Sequence, residues 1–96
     1  MHCPHHAAGR CGSCTELAVP YAQQLAAKDR ACRALLAGHP GLDWLPPLAS
    51  AETGFRNKAK MVVSGSAEAP RLGIRDRAGQ GVDLGDCALY PPSLQA

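Results

Sequence analysis

The sequence has few aromatic residues and no long apolar run. Aromatic side chains make up only 4% of the 96 residues. A core in so short a chain must be built mainly from aliphatic side chains and alanine, and burial alone stabilises a small domain only marginally. No stretch stays apolar for the ~20 residues that a transmembrane helix needs, and the N-terminus lacks the positive start and apolar centre of a signal peptide. We expect a cytoplasmic protein with no membrane partner.

Motifs for catalysis and nucleotide binding are also absent. The chain has no G-x-G-x-x-G, no P-loop, no H-E-x-x-H and no Ser/His/Asp set whose members can be placed. Its formal net charge of +2 is too small by itself to indicate a nucleic-acid binder. Taken alone, the residues predict no enzyme.

The cysteines are the most informative residues present. Cys3, Cys11 and Cys14 form a C-x7-C-x2-C run at the N-terminus. Two glycines within the run give its backbone the freedom to wrap round one centre. Thiolate sulfur is a preferred ligand of zinc and of iron–sulfur clusters, and an odd total of five cysteines suits metal binding better than a secreted disulfide framework. The run therefore predicts a metal site that needs a fourth ligand.

Two cysteines compete for the fourth position. Cys32 lies in the segment 20–38, which is rich in Ala, Leu and Gln, begins with proline and ends with glycine, and so predicts a helix. Cys32 falls on the apolar stripe of that helix, so we expect it to pack as a small buried hydrophobe. Cys87 lies instead in an irregular run between a glycine and two prolines, where a constrained loop can hold a ligand. We predict that Cys87 completes the set as C-x7-C-x2-C-x72-C.

The spacing leaves the identity of the metal open. Four cysteines fit either a [4Fe-4S] cluster or a structural zinc ion. The long gap between Cys3 and Cys11, and the lack of a second C-x-x-C near Cys87, favour the cluster. Zinc stays the alternative because imidazole is a good zinc ligand, and His5 is close enough in sequence to replace Cys3. The histidines beside the first cysteine are His2, His5 and His6.

A basic segment follows the Pro-rich connector 39–54. Side chains alternate over 55–64, which predicts a strand with one apolar face and with Arg56, Lys58 and Lys60 on the other. Such a row of cations would give salt-sensitive affinity for RNA or DNA, although lysine is also common on solvated strand faces. Return strands at 71–75 and 82–84 would complete an antiparallel meander. The predicted fold class is α+β.

Four blocks of the chain resemble the start of the bacterial 23S rRNA (uracil-C5)-methyltransferases, in particular the short type that lacks an N-terminal TRAM domain and modifies uracil 747. The blocks are Cys3 with GRCGSC at 9–14, QLAAK at 24–28, GFRNKAKMVVSGS at 54–66 and LGDCALYP at 84–91. The similarity runs over essentially the whole chain in order. In this family the cysteines aligned with Cys3, Cys11, Cys14 and Cys87 bind a [4Fe-4S] cluster, and the cysteine aligned with Cys32 does not.

The resemblance also implies a domain organisation. The strand aligned with 55–64 starts the family's central RNA-binding β domain, which favours RNA contact by Arg56, Lys58 and Lys60. The implied division is a cysteine-rich cluster-binding loop at 1–19, a helix at 20–38, the connector at 39–54 and a partial β domain at 55–96 that supplies the fourth cysteine.

The activity implied by the resemblance needs parts that this chain lacks. The family methylates uracil with S-adenosylmethionine: a cysteine adds to C6, and a carboxylate base later removes the C5 proton. The Rossmann-like cofactor domain, that cysteine and that base all lie beyond the equivalent of Ala96. We therefore expect an N-terminal fragment, inactive alone, with 23S rRNA and the missing C-terminal methyltransferase domain as partners. The alternative is a stand-alone zinc or cluster module that mediates protein or RNA contacts without catalysis.

Overall fold

The computed structural model describes residues 1–95, which form two compact units. Unit 1 contains Met1–Thr15 together with the chain from Ala51 onward, and unit 2 is Glu16–Ser50. The elements in chain order are α1 (Pro4–Ala7), α2 (Tyr21–Leu35), β1 (Val62–Gly65), β2 (Pro70–Arg75), β3 (Gly81–Asp83) and a 3-10 turn at Pro92–Leu94. One long helix and an antiparallel sheet confirm the α+β class. Over residues 1–95, neither helix has the length and apolar character to cross a membrane.

Unit 2 is built on α2, which is shorter than the helix predicted over 20–38. Pro20 is extended (φ −54°, ψ 138°) and precedes the helix, and Leu36 leaves the helical region at its end. The side chain of Gln24 donates hydrogen bonds to the carbonyls of Glu16 and Val19, at 2.9 and 2.8 Å, and so fixes the turn that leads into the helix. An Arg33 to Asp29 ion pair one turn apart, at 3.0 Å, adds modest surface support.

The expected burial of Cys32 is wrong, because its side chain is exposed. The helix α2 has no buried residue at all. In the part of the chain that the structure describes, unit 2 contains no helix or strand besides α2. Unit 2 by itself therefore offers no second layer for the apolar stripe.

The Pro-rich connector is attached to α2 by two contacts within unit 2. The Ser50 backbone N–H donates to the Tyr21 hydroxyl at 2.9 Å. The Arg33 guanidinium lies over the Trp44 ring, 4.7 Å from its centroid, a cation–π contact. Trp44 remains 37% exposed, so this contact leaves part of the side chain open to solvent.

Unit 1 contains the three-stranded antiparallel sheet, in the order β1-β2-β3. Val63 pairs with Leu72, and Ile74 pairs with Val82. The turn between β2 and β3 is closed by the Asp76 carboxylate, which accepts hydrogen bonds from the backbone N–H groups of Ala78 and Gln80 at 2.9 and 2.8 Å. The meander predicted from the alternating pattern is thus present.

The first strand is much shorter than the prediction over 55–64, because β1 begins only at Val62. The backbone upstream finds other partners. The N–H of Gly54 donates to the Ala88 carbonyl, and the N–H of Arg56 donates to the Leu89 carbonyl, both at 2.9 Å. Since these hydrogen bonds go to the segment after Cys87, residues 54–56 hold that loop instead of extending β1.

Candidate metal centre

Four of the five thiols line one cavity of unit 1, with a volume of about 460 Å³. They are Cys3, Cys11, Cys14 and Cys87, and each is partly exposed. Cys32 belongs to unit 2 and does not line this cavity. The structure therefore brings together the four cysteines that the sequence groups, while their role as ligands stays a prediction.

The N-terminal cysteines are positioned by α1, a short helix that sequence reasoning missed. Pro4 occupies the first turn, where its missing N–H costs nothing, and the Ala7 N–H donates to the Cys3 carbonyl at 3.0 Å. The chain then reverses through Gly9, whose φ of +70° favours glycine. After the reversal, the His5 carbonyl accepts the N–H of Cys11 at 3.2 Å. This local fold returns Cys11 to the neighbourhood of Cys3.

The fourth cysteine is held by a turn that continues from the sheet. The Leu84 N–H donates to the Leu72 carbonyl at 2.8 Å, and the Cys87 N–H donates to the Leu84 carbonyl at 3.0 Å. Leu84 and Leu89, on either side of Cys87, are two of the three buried hydrophobic residues of the part of the chain described, the third being Val82. Cys87 therefore sits in the best-packed part of unit 1.

The electrostatic surroundings of Cys14 include the other three cavity thiols. Partial burial raises the pKa of the Cys14 thiol, and the neighbouring thiols of Cys87, Cys11 and Cys3 raise that pKa further, while the Arg56 guanidinium opposes them. A thiol whose neighbours disfavour its ionisation can still become a thiolate when a bound metal cation neutralises the charge and the proton is released. The chemistry of the four side chains thus fits a thiolate-bound metal group.

The thiols are not arranged as a ready single-ion site. Within residues 1–95, no three His, Cys, Asp or Glu side chains converge closely enough to hold one metal ion. With Zn–S distances of about 2.3 Å, a tetrahedral zinc ion would need its sulfurs within about 4 Å of one another. In a [4Fe-4S] cluster each thiolate binds a different iron, so the sulfurs are spaced more widely.

A hydrogen bond between a histidine and an aspartate links the two segments of unit 1. The sequence does not predict this contact. His5 Nε2 donates to Asp86 Oδ1 at 2.8 Å, and both residues line the thiol cavity. This hydrogen bond lowers the pKa of the Asp86 carboxyl. The His5 side chain is 15% exposed, and its Nδ1 is buried without a hydrogen-bond partner among the described residues. Of the other N-terminal histidines, His2 lines the cavity and His6 is exposed.

The three predicted RNA-binding residues also line the thiol cavity. Arg56, Lys58 and Lys60 precede β1 and lie outside any strand. Their expected placement on the outer face of a strand 55–64 is therefore wrong, because that strand does not form there. Their role in RNA binding stays a prediction.

Comparison with known proteins finds curated relatives of the chain. The chain is 57% identical over 94 residues to the 23S rRNA (uracil(747)-C(5))-methyltransferase RlmC of Edwardsiella ictaluri. It is 56% identical over 95 residues to the proteins of the same name from Yersinia pestis and Yersinia pseudotuberculosis. These matches cover 98–99% of this chain and 25% of each relative, so the chain spans about a quarter of the length of the curated relatives it matches.

No protein-family model and no solved structure matches the chain. Its similarity to the methyltransferases nevertheless extends over nearly every residue that it has. The resemblance of this chain to the 23S rRNA (uracil-C5)-methyltransferases is thereby confirmed, over a segment equal to a quarter of such a protein.

Proposed function

We propose that this chain is the N-terminal portion of an S-adenosylmethionine-dependent 23S rRNA (uracil-C5)-methyltransferase, that it holds a [4Fe-4S] cluster and that it contributes to rRNA binding. The proposed cluster ligands are Cys3, Cys11, Cys14 and Cys87. One observation carries the cluster proposal: these four thiols, drawn from two segments far apart in sequence, line a single cavity. The methyltransferase part is supported by the names of the relatives.

A cluster would give unit 1 the stability that its core lacks. The buried hydrophobic residues of the described chain are only Val82, Leu84 and Leu89. So small a core contributes little free energy of folding. Binding of a metal group by ligands that the unfolded chain keeps apart adds directly to that free energy. The proposed cluster is therefore structural: it joins Cys87 and the sheet to the N-terminal cysteines.

The alternative is a stand-alone zinc module without catalysis, and one observation favours it. His2 and His5 line the same cavity as the thiols, and imidazole is a good zinc ligand. Against it, the side chains of residues 1–95 do not converge as one zinc ion requires. A [4Fe-4S] cluster does not need convergence on one ion, because each thiolate binds a different iron.

Catalysis is assigned to the part of the enzyme outside this chain. The nucleophilic cysteine, the base and the S-adenosylmethionine site expected for the family have no counterpart here, and Cys32 and Cys87 take none of these roles. The chain alone is expected to be inactive, and we propose that it works beside a C-terminal methyltransferase domain in the cytoplasm.

Reconstitution under anaerobic conditions tests the cluster proposal. The reduced chain is treated with iron and sulfide and then desalted. We expect a brown protein with broad visible absorbance and about four iron and four sulfide atoms per chain. Purified protein that contains zinc and takes up no iron would contradict the cluster and support the zinc module. Retention of that zinc by a Cys3→Ser variant would assign a histidine as the replacement ligand.

The salt dependence of RNA binding tests whether the basic residues of the cavity contact RNA. We expect replacement of Arg56, Lys58 and Lys60 by glutamine to weaken binding to an rRNA hairpin that contains uracil 747. The slope of log K against log salt should fall by about two, because each phosphate contact on a single strand contributes about 0.7. Fluorescence anisotropy at several salt concentrations measures both quantities.

A matched control removes the same charge elsewhere. Glutamine at Lys28, Arg30 and Arg77, which are all exposed, should leave the salt slope close to that of the unmodified chain. Equal losses in the two triple variants would show that net charge alone governs binding, and would contradict a role for the cavity residues.

A further inference from the structure

His5 contacts both segments of the chain that supply thiols to the cavity. Its backbone carbonyl accepts the N–H groups of Arg10 and Cys11, at 2.9 and 3.2 Å. Its side chain reaches across 81 sequence positions to Asp86, the residue next to Cys87. One residue therefore sets the position of the turn that bears Cys11 and also contacts the loop that bears the fourth thiol.

We propose that His5 and Asp86 form a clasp that positions Cys87 against the N-terminal cysteines before a metal group enters. The clasp rests on the proposed site of four thiolate ligands, whether these hold a cluster or a zinc ion, and excludes the zinc site in which His5 replaces Cys3 as a ligand. His5 and Asp86 are positioning residues: neither is a ligand, and both act through the thiol beside them.

The orientation of the imidazole depends on Asp86. An ionised carboxylate can only accept a hydrogen bond, so the proton of this contact belongs to His5 Nε2. The other ring nitrogen, Nδ1, is buried without a hydrogen-bond partner in residues 1–95. Because no second partner orients the ring, loss of the Asp86 carboxylate frees His5 to leave the cavity wall.

The strength of the hydrogen bond between His5 and Asp86 determines how much its loss lowers metal affinity. A hydrogen bond to a charged group is stronger than a neutral one, but the Asp86 side chain is 69% exposed, and solvent weakens such a contact. Replacement of a residue that supports metal ligands from outside the ligand set lowers metal affinity by about 10–100-fold. We expect the lower end of that range, about tenfold.

Cobalt(II) is the probe for the clasp, because thiolate-to-cobalt charge-transfer absorption reports thiolate ligation. Since the thiols do not converge on one ion beforehand in residues 1–95, the cobalt affinity depends on how readily Cys87 and the N-terminal cysteines close on the ion. We expect His5→Ala and Asp86→Ala in the reduced full chain to weaken cobalt binding by about tenfold each. His5→Gln should regain most of the affinity, since its amide N–H donates at a reach similar to that of Nε2. The control His6→Ala removes an adjacent, exposed histidine of the same short helix and should bind as the unmodified chain does.

A double variant separates the clasp from a general loss of folding. If the two residues act through each other, His5→Ala with Asp86→Ala should bind cobalt no more weakly than either single variant. Additive losses, or a failure of His5→Gln to restore binding, would overturn the clasp. So would unchanged binding by His5→Ala.

The same proteins distinguish this inference from the proposed cluster. Iron and sulfide reconstitution is run on the unmodified chain and on His5→Ala, His5→Gln and His6→Ala. If the unmodified chain binds cobalt in a His5-dependent way and assembles no cluster, the iron assignment fails and the clasp stands. If all four chains assemble the cluster equally well, the cluster stands and the clasp fails.

Discussion

Replacement of Cys87 by serine is expected to abolish cluster binding by this chain. Of the four cavity thiols, three come from Met1–Thr15, and Cys87 alone comes from the second segment of unit 1. Serine keeps the shape of the side chain but removes the thiolate that soft metals prefer. In the proposed site, the variant would lose one of four ligands, and this ligand is the one that joins the second segment to the metal group.

The expected loss of metal affinity is larger than the loss caused by replacing any residue outside the proposed ligand set. Replacement of supporting residues lowers metal affinity by about 10–100-fold, and loss of a ligand should exceed this. Iron analysis and visible absorbance after anaerobic reconstitution measure it. The matched control is Cys32→Ser, because that thiol is exposed on α2, and its iron content should equal that of the unmodified chain. Full iron loading of Cys87→Ser, or loss of iron from Cys32→Ser, would refute the proposed ligand set.

A second large effect is expected from Gly73→Ala, through loss of the sheet. Gly73 is buried in β2 between Val62 of β1 and Asp83 of β3. A Cβ atom at this position would collide with the Val82 carbonyl oxygen and lie 3.0 Å from the Leu84 backbone nitrogen. Both obstacles are backbone atoms, so β2 and β3 can accommodate the methyl group only by separating.

The cost should be a large part of the stability of the chain. Overpacking of this kind typically costs about 1–3 kcal/mol, and we expect the upper end because the neighbours cannot rotate away. Small domains are stable by only about 5–15 kcal/mol. Since β3 leads directly to the turn of Cys87, Gly73→Ala should also lower the yield of reconstituted cluster. Urea unfolding followed by circular dichroism measures the change in stability.

The control for this prediction is Gly38→Ala. A Cβ atom there meets nothing within 4 Å, and the residue has no left-handed φ. Its unfolding midpoint should lie close to that of the unmodified chain. Equal midpoints for Gly73→Ala and the unmodified chain would mean that the close approach of β2 and β3 does not exist in solution.

Local patterns predicted those features that depend on neighbouring residues. The interior of α2 follows from its Ala- and Leu-rich composition, and β2 follows from alternating apolar residues between turn signals. The glycine and prolines around Cys87 distinguish it from Cys32, which lies in a helical pattern. These properties belong to short stretches of chain, which is why periodicity and composition are enough to find them.

The features that local patterns do not predict depend on contacts between distant segments. An apolar stripe on α2 indicates which face could be buried, but not whether anything covers that face. The expected burial of Cys32 is wrong for this reason. The late start of β1 arises because Gly54 and Arg56 donate to Ala88 and Leu89. The contact of His5 with Asp86 spans 81 positions, and no local pattern marks it. The available signal was weak: a histidine within the first cysteine run and an acid beside the last cysteine.

The discontinuity of unit 1 has a consequence for biosynthesis. The 73 positions from Cys14 to Cys87 take roughly 4–15 s to translate at about 5–20 residues per second. Throughout that interval, three thiols have emerged without their partner and are open to oxidation or to capture by other metals. If the proposed ligand set is right, cluster insertion must wait for Cys87 to emerge, and a loaded centre would report that the ribosome has passed the sheet.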